Sequence, residues 1–137
     1  MRTDLRRYLN KDTIFQAIVV RIGTRKSRKT GRILSTMLIR QLRDTNDCIV
    51  SDHMWIDVVP ELAALHPMYG DIIEFKGTPE SYIKGACSRK RYYNTGTMFI
   101  DYQLKQLHGF KVIGQVEEER REELLGWYET NIDTEEC

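Results

Sequence analysis

Few of the residues that build disulfide frameworks, metal centres or membrane spans occur in this sequence. Its 137 residues include three cysteines, no two of which form a CxxC motif. An odd number of widely spaced cysteines argues against a disulfide framework or a zinc knuckle. No apolar run approaches the roughly 18–20 residues of a membrane-spanning helix, and the first residues lack the apolar stretch of a signal peptide. We therefore predict a cytoplasmic protein with no metal, no cofactor and no membrane partner.

Catalytic motifs are also missing. The sequence contains no GxSxG, HExxH or P-loop motif, and its three histidines are scattered over separate segments. Asp52 and His53 are adjacent, but neighbouring residues of a strand project to opposite faces, so acid–base catalysis by this pair is not expected. We predict that the protein is not an enzyme.

Charge is abundant and unevenly distributed. Residues 117–137 contain nine acidic and two basic residues, a net charge of −7. Residues 1–116 contain 19 basic and 11 acidic residues, a net charge of +8. A basic body attracts polyanions. The acidic end would compete for the same surface or recruit a basic partner, or it is a solvated helix that is rich in Glu.

The distribution of apolar residues indicates a protein built mainly of strands. Five segments rich in β-branched or alternating apolar residues predict strands over residues 13–23, 33–43, 48–59, 72–75 and 98–107. Pro60 and the good helix formers after it predict a short helix between the third and fourth strands. A narrow apolar stripe predicts a terminal helix over residues 116–128. Because strands and helices do not alternate, we expect an all-β barrel or sandwich.

This order of elements resembles the OB-fold, a five-stranded Greek-key barrel. GDIIEFKGTPESYIKG, after the predicted helix, is similar to the fourth-strand signature of OB-folds. Together with GTRKSRKTGR and SDHMWIDV, it resembles small OB-fold proteins of Gram-positive phages and conjugative plasmids that are thought to bind single-stranded DNA. The resemblance covers about residues 13–113. It implies an all-β, five-stranded OB-fold barrel with a short helix between strands 3 and 4, followed by a C-terminal helix.

The same resemblance divides the chain into three parts and suggests what they do. Residues 1–12 form an N-terminal arm, residues 13–115 the OB-fold domain, and residues 116–137 an acidic C-terminal helix or tail. The expected function is binding of single-stranded DNA with little sequence preference, in the replication or transfer of phage or plasmid DNA.

The first candidate binding site is the basic loop between the first two predicted strands. Five cations within eight positions repel one another, and phosphates would offset this repulsion while releasing counterions. These cations are Arg25, Lys26, Arg28, Lys29 and Arg32. In an OB-fold this loop lies at the mouth of the oligonucleotide groove. A solvated hairpin tip is the alternative interpretation.

The second candidate site mixes cations with aromatic residues. It comprises Tyr82, Lys84, Arg89, Lys90, Arg91, Tyr92 and Tyr93. Cations follow a nucleic-acid backbone while tyrosine rings stack on bases, which suits single strands of any sequence. One of the two adjacent tyrosines should pack inward, and the sequence does not say which. The OB-fold resemblance places this segment on the same side as the first basic loop.

The third predicted strand supplies a candidate stacking platform. If that strand alternates, Trp55 and His53 share one face while Met54 and Ile56 point to the core. Trp55 would then stack on a base, and Arg40 on the second strand would extend the basic surface toward it. The alternatives are a tryptophan in the core or in a dimer interface, a structural His53 and an ordinary surface arginine.

The termini and two other classes of function stay open at this stage. Leu5, Tyr8 and Leu9 are at helical spacing, so the arm would dock on a neighbouring protomer and link copies into a homo-oligomer.

Phosphate and stacking contacts serve RNA as well as DNA, so an RNA-binding OB module is an alternative. A protein–protein adaptor or inhibitor on an OB scaffold is another, because one fold hosts many functions.

Overall fold

The computed structural model describes residues 2–84 and 99–123, which form five strands and short helices. A 3-10 helix (the N-terminal helix) spans Arg2–Tyr8, and a short α-helix, α1, spans Pro60–Ala64. The strands are β1 (Thr13–Lys26), β2 (Ile33–Arg43), β3 (Ile49–Asp57), β4 (Asp71–Lys84) and β5 (Phe99–Gln115). Residues 118–123 are helical, which agrees with the start of the predicted terminal helix. The remainder of that prediction lies outside the described residues.

The five strands form one antiparallel sheet in the order β3-β2-β1-β4-β5. An antiparallel all-β protein with a short helix between β3 and β4 is thus confirmed. The prediction of a closed barrel is not: the sheet is open, and β3 and β5 are its two edges. They approach each other without pairing in the described part of the chain.

Two elements contact the edge strands where the sheet is open. The N-terminal helix contacts both β3 and β5, and its Leu5 is fully buried in the core. On the β5 side, the Glu61 carboxylate of α1 accepts hydrogen bonds from the backbone N–H groups of Gly109 (3.2 Å) and Phe110 (2.6 Å). Edge groups occupied in this way cannot pair with another strand.

The core fills the concave side of the curled sheet and receives residues from all five strands. The ring of Phe75 packs between two others: its centroid is 6.1 Å from that of Phe15 and 5.2 Å from that of Phe110. Burial of these large apolar side chains is the main stabilising contribution. No helix among the described residues is long and apolar enough to cross a membrane.

The N-terminal helix is held in place by the turn between β2 and β3. The Asp44 carboxylate accepts a hydrogen bond from the Tyr8 hydroxyl at 2.5 Å and others from the N–H groups of Asn46 and Cys48. Burial alone would raise the pKa of Asp44, but these hydrogen bonds hold it below its ordinary value. The hydrogen bond to Asp44, together with burial, raises the pKa of Tyr8.

The N-terminal helix therefore belongs to this chain's own core. Leu5 is buried there, and Tyr8 and Leu9 pack against it. These are the side chains for which docking on a neighbouring protomer was predicted. Their packing inside the chain accounts for their spacing without a second copy.

Candidate nucleic-acid interface

The convex side of β1, β2 and β3 carries the candidate interface, here called the outer face. Strand pairing places Arg21, Leu38 and Trp55 in one row across the three strands, and Arg40 and His53 in the next. On β3 the neighbouring Met54 and Ile56 are buried in the core. The predicted alternation of β3 is confirmed, and it leaves Trp55 and His53 on the side opposite to the core.

Trp55 packs closely against the backbone of β1. A Cβ atom added at Gly23 would lie 3.2 Å from the indole ring, which is tighter than most contacts of this kind. The glycine thus makes room for the ring beside the strand. Trp55 is half-buried, so the sheet supports one part of the ring while another part faces solvent. An aromatic ring held in this way can stack on an unpaired base.

The turn between β1 and β2, here called the basic hairpin, carries four exposed cations where these two strands of the outer face end. The Ser27 N–H donates to the Arg32 carbonyl at 2.8 Å, and Gly31, at φ +73°, donates to the Ser27 carbonyl at 2.9 Å. The cations are exposed, and none forms an ion pair among the described residues: Lys26, Arg28, Lys29 and Arg32.

Arg25 differs from the other predicted cations of this loop. Its guanidinium donates through Nε (3.3 Å) and Nη2 (3.1 Å) to Oδ1 of Asp57, at the end of β3. The sequence analysis missed this partner because the two residues are 32 positions apart. Arg25 is partly neutralised by a carboxylate on the same face, so it offers less to a phosphate than its four neighbours.

Asp52 lies close to both Arg40 and His53, the other two polar residues predicted for this face. Its carboxylate is 3.9 Å from Nε of Arg40 and 3.2 Å from Nδ1 of His53. The expectation that Asp52 and His53 point apart is therefore wrong, since at the sheet edge the two side chains turn toward each other. The side chain of Arg40 is only 20% exposed, so little of it is accessible on the outer face.

Of the second basic cluster, the structure describes only the beginning. The half-buried Tyr82 on β4 places its hydroxyl 3.4 Å from the carboxylate of Asp101 on β5. Lys84 is the last residue of β4. Arg89, Lys90, Arg91, Tyr92 and Tyr93 lie outside the described residues. That both basic loops border one groove stays a prediction.

One residue of the outer face escaped the sequence analysis. Arg21 is exposed on β1 and pairs in register with Leu38, which in turn pairs with Trp55. Its position after the apolar run of β1 was the available signal, but the β-bulge between Val19 and Arg21 obscures the alternation.

Comparisons with protein-family models, with curated proteins and with solved structures found no match to this chain. The chain's own residues and their geometry therefore carry any assignment of function.

Proposed function

We propose that the protein binds single-stranded DNA with little sequence preference. One observation carries the proposal: a half-buried Trp55 is seated against Gly23 of β1, and the same strand runs into the basic hairpin with its four exposed cations. A supported aromatic ring beside a cluster of cations matches the two needs of a single strand, base stacking and phosphate neutralisation.

Each part of the outer face has its own role in this mechanism. Lys26, Arg28, Lys29 and Arg32 neutralise phosphates and release condensed counterions, which provides affinity without reading sequence. Trp55 stacks on a base, an interaction that tolerates every base because each has an aromatic face. Tyr82 and the cluster over residues 89–93 extend the same chemistry along the strand.

The arrangement of strands supports an OB-type scaffold for this function. The order β3-β2-β1-β4-β5, with a helix after β3, is the order of an OB barrel opened between strands 3 and 5. OB-folds bind oligonucleotides on the face of strands 2 and 3 and on the loops that follow strands 1 and 4. Trp55 and the basic hairpin occupy the first two of these regions. The resemblance to single-strand binders of phages and conjugative plasmids favours DNA over RNA and a role in DNA replication or transfer.

Fluorescence anisotropy with three matched oligonucleotides tests the proposal. A single-stranded DNA, the corresponding RNA and the DNA duplex would each be titrated with the full chain over a range of salt concentrations. We expect the tightest binding to single-stranded DNA, weakening by roughly 0.7 log units per log unit of salt for each phosphate neutralised. Binding that is flat with salt, or absent, would refute the electrostatic mechanism. Equal affinity for RNA would remove the preference for DNA, and tighter duplex binding would overturn the proposal.

A further inference from the structure

A second feature of the convex side is an open groove of about 420 Å³, here called the amide groove. Its volume falls within the roughly 300–1,000 Å³ of small-ligand sites. Ile18 of β1 and Ile72 of β4 supply apolar surface, while Gln16 and Gln41 line it with carboxamides. Strand pairing connects it to the outer face, because Ile18 is paired with Arg40, which is paired in turn with His53.

The start of the C-terminal segment forms one wall of this groove. Val116 donates its N–H to the carbonyl of Gly70, and Nη2 of Arg121 donates to Oε1 of Gln115. Gly70 has φ +87°, and a Cβ there would lie 2.8 Å from Nε of Arg121. These contacts seat the segment against the sheet, so the groove is part of the fold.

Neighbouring side chains orient the two glutamines: Glu74, which does not line the groove, holds Gln16, and Arg43 on the rim of the groove holds Gln41. Nε2 of Gln16 donates to Glu74 at 3.2 Å, and Glu74 is held in turn by Lys111. Oε1 of Gln41 accepts from Nη2 of Arg43 at 3.2 Å. Gln16 thus retains its carbonyl oxygen as an acceptor, and Gln41 retains its amide as a donor, with no other partner in the described part of the chain.

Gln41 reaches this groove through an unusual backbone conformation. Its φ is +54°, in the left-handed region that non-glycine residues rarely adopt, and the pairing of β2 with β1 shifts register around it, between the pairs Ile18–Arg40 and Gln16–Arg43. In a regular strand Gln41 would continue the core face occupied by Met37 and Ile39. The bulge turns its amide out of the core. Such conformations concentrate at functional sites.

The charges around the groove select a neutral ligand. Arg43 and Arg120 line it together with Asp47 and Glu117, so two cations face two anions. The ion pair between Arg43 and Asp47, at 2.9 Å, neutralises one of each. Because the charges nearly cancel, the groove offers a phosphate little electrostatic attraction. Its apolar surface, flanked by a hydrogen-bond donor and an acceptor, instead fits a flat, uncharged ring with a polar edge.

We propose that the amide groove binds one unpaired nucleobase of a strand that lies on the outer face, an inference that rests on the proposed function. Every base carries an adjacent donor and acceptor on its Watson–Crick edge, to which the carbonyl of Gln16 and the amide of Gln41 are complementary. That edge is occupied in a duplex and available in a single strand. The groove therefore selects single strands over duplexes by a mechanism that does not depend on salt.

Two measurements on the full chain test this inference. In the first, side-chain amide signals of the wild-type protein are followed by NMR during titration with thymidine, deoxycytidine and deoxyadenosine, which carry no phosphate. We expect the signals of Gln16 and Gln41, assigned from the single variants, to shift, while inorganic phosphate leaves them in place. The titrated protein is the wild type, and the single variants serve only to assign its signals.

In the second, the double variant Gln16→Ala/Gln41→Ala is compared with Gln103→Ala, a half-buried glutamine of β5 that does not line the groove. Loss of two hydrogen bonds should weaken single-strand binding about tenfold, with an unchanged salt slope and a reduced preference over duplex. The control should bind like the wild type. If the wild type binds no single strand, the proposed function fails and the inference with it. If it binds, but neither the signals nor the affinity of the double variant changes, only the amide groove is refuted.

Discussion

The basic hairpin offers the sharpest test of the electrostatic mechanism, because two of its cations can be removed without touching the turn. The hydrogen bonds that shape it involve Ser27, Thr30, Gly31 and Arg32. Lys26 and Lys29 are exposed and contribute no side-chain hydrogen bond or ion pair among the described residues. The double variant Lys26→Ala/Lys29→Ala should therefore fold like the wild type and differ only in binding.

The magnitude follows from counterion release. Each phosphate contact on a single strand contributes about 0.7 to the slope of log affinity against log salt, so loss of two contacts lowers the slope by about 1.4. If the two proteins converge near 1 M salt, affinity falls about 60-fold at 50 mM and about tenfold at 200 mM. If the variant instead lost an interaction that involves no charge, the ratio of wild-type to variant affinity would be the same at every salt concentration.

The assay is anisotropy of a labelled dT oligonucleotide at several salt concentrations. The matched control is Lys11→Ala/Lys76→Ala, which removes the same charge from two exposed lysines near the opposite end of β1. If both double variants lose the same affinity, only net charge matters and the hairpin is no contact site. An unchanged slope in the Lys26/Lys29 variant would contradict the reasoning outright.

The sequence predicted what depends on local pattern. Their content of β-branched and apolar residues identified the strands, and β2 has the predicted bounds, because such content is visible in a single segment. The last predicted strand, over residues 98–107, continues as one element, β5, to Gln115. Gln106 and Gly109, with positive φ, lie where its pairing with β4 shifts register, and these shifts do not end the strand.

What the sequence could not predict depends on contacts between distant segments. Leu5 enters the core, and Glu61 accepts hydrogen bonds from Gly109 and Phe110 on the edge strand β5, 48 and 49 residues away. Neither is encoded in a local pattern. The pairing of Arg25 with Asp57 requires the register of three strands, and the outward turn of Gln41 requires a bulge in the pairing of β2 with β1. The candidate cations were thus identifiable from sequence, whereas their partners were not.

Three further variants test base stacking, phosphate binding and folding stability one at a time. Trp55→Ala should weaken single-strand binding by about 1–3 kcal/mol per stacked base with an unchanged salt slope, and a change in slope instead would show that the ring does not stack. Asp57→Asn should release Arg25 toward phosphate, so that anisotropy shows tighter binding and a slope steeper by about 0.7, whereas weaker binding would show that the ion pair holds the face together. Tyr8→Phe should lower the free energy of unfolding in urea by about 1–2 kcal/mol near neutral pH, because Asp44 loses a hydrogen bond to its charged form. Since the folded-state pKa of Asp44 lies below its ordinary value, the stability it contributes is present above the unfolded-state pKa and is lost as pH falls through the folded one. The difference between wild type and Tyr8→Phe should therefore shrink in acid, and a difference that stays constant with pH would show that the charge of Asp44 does not anchor the N-terminal helix.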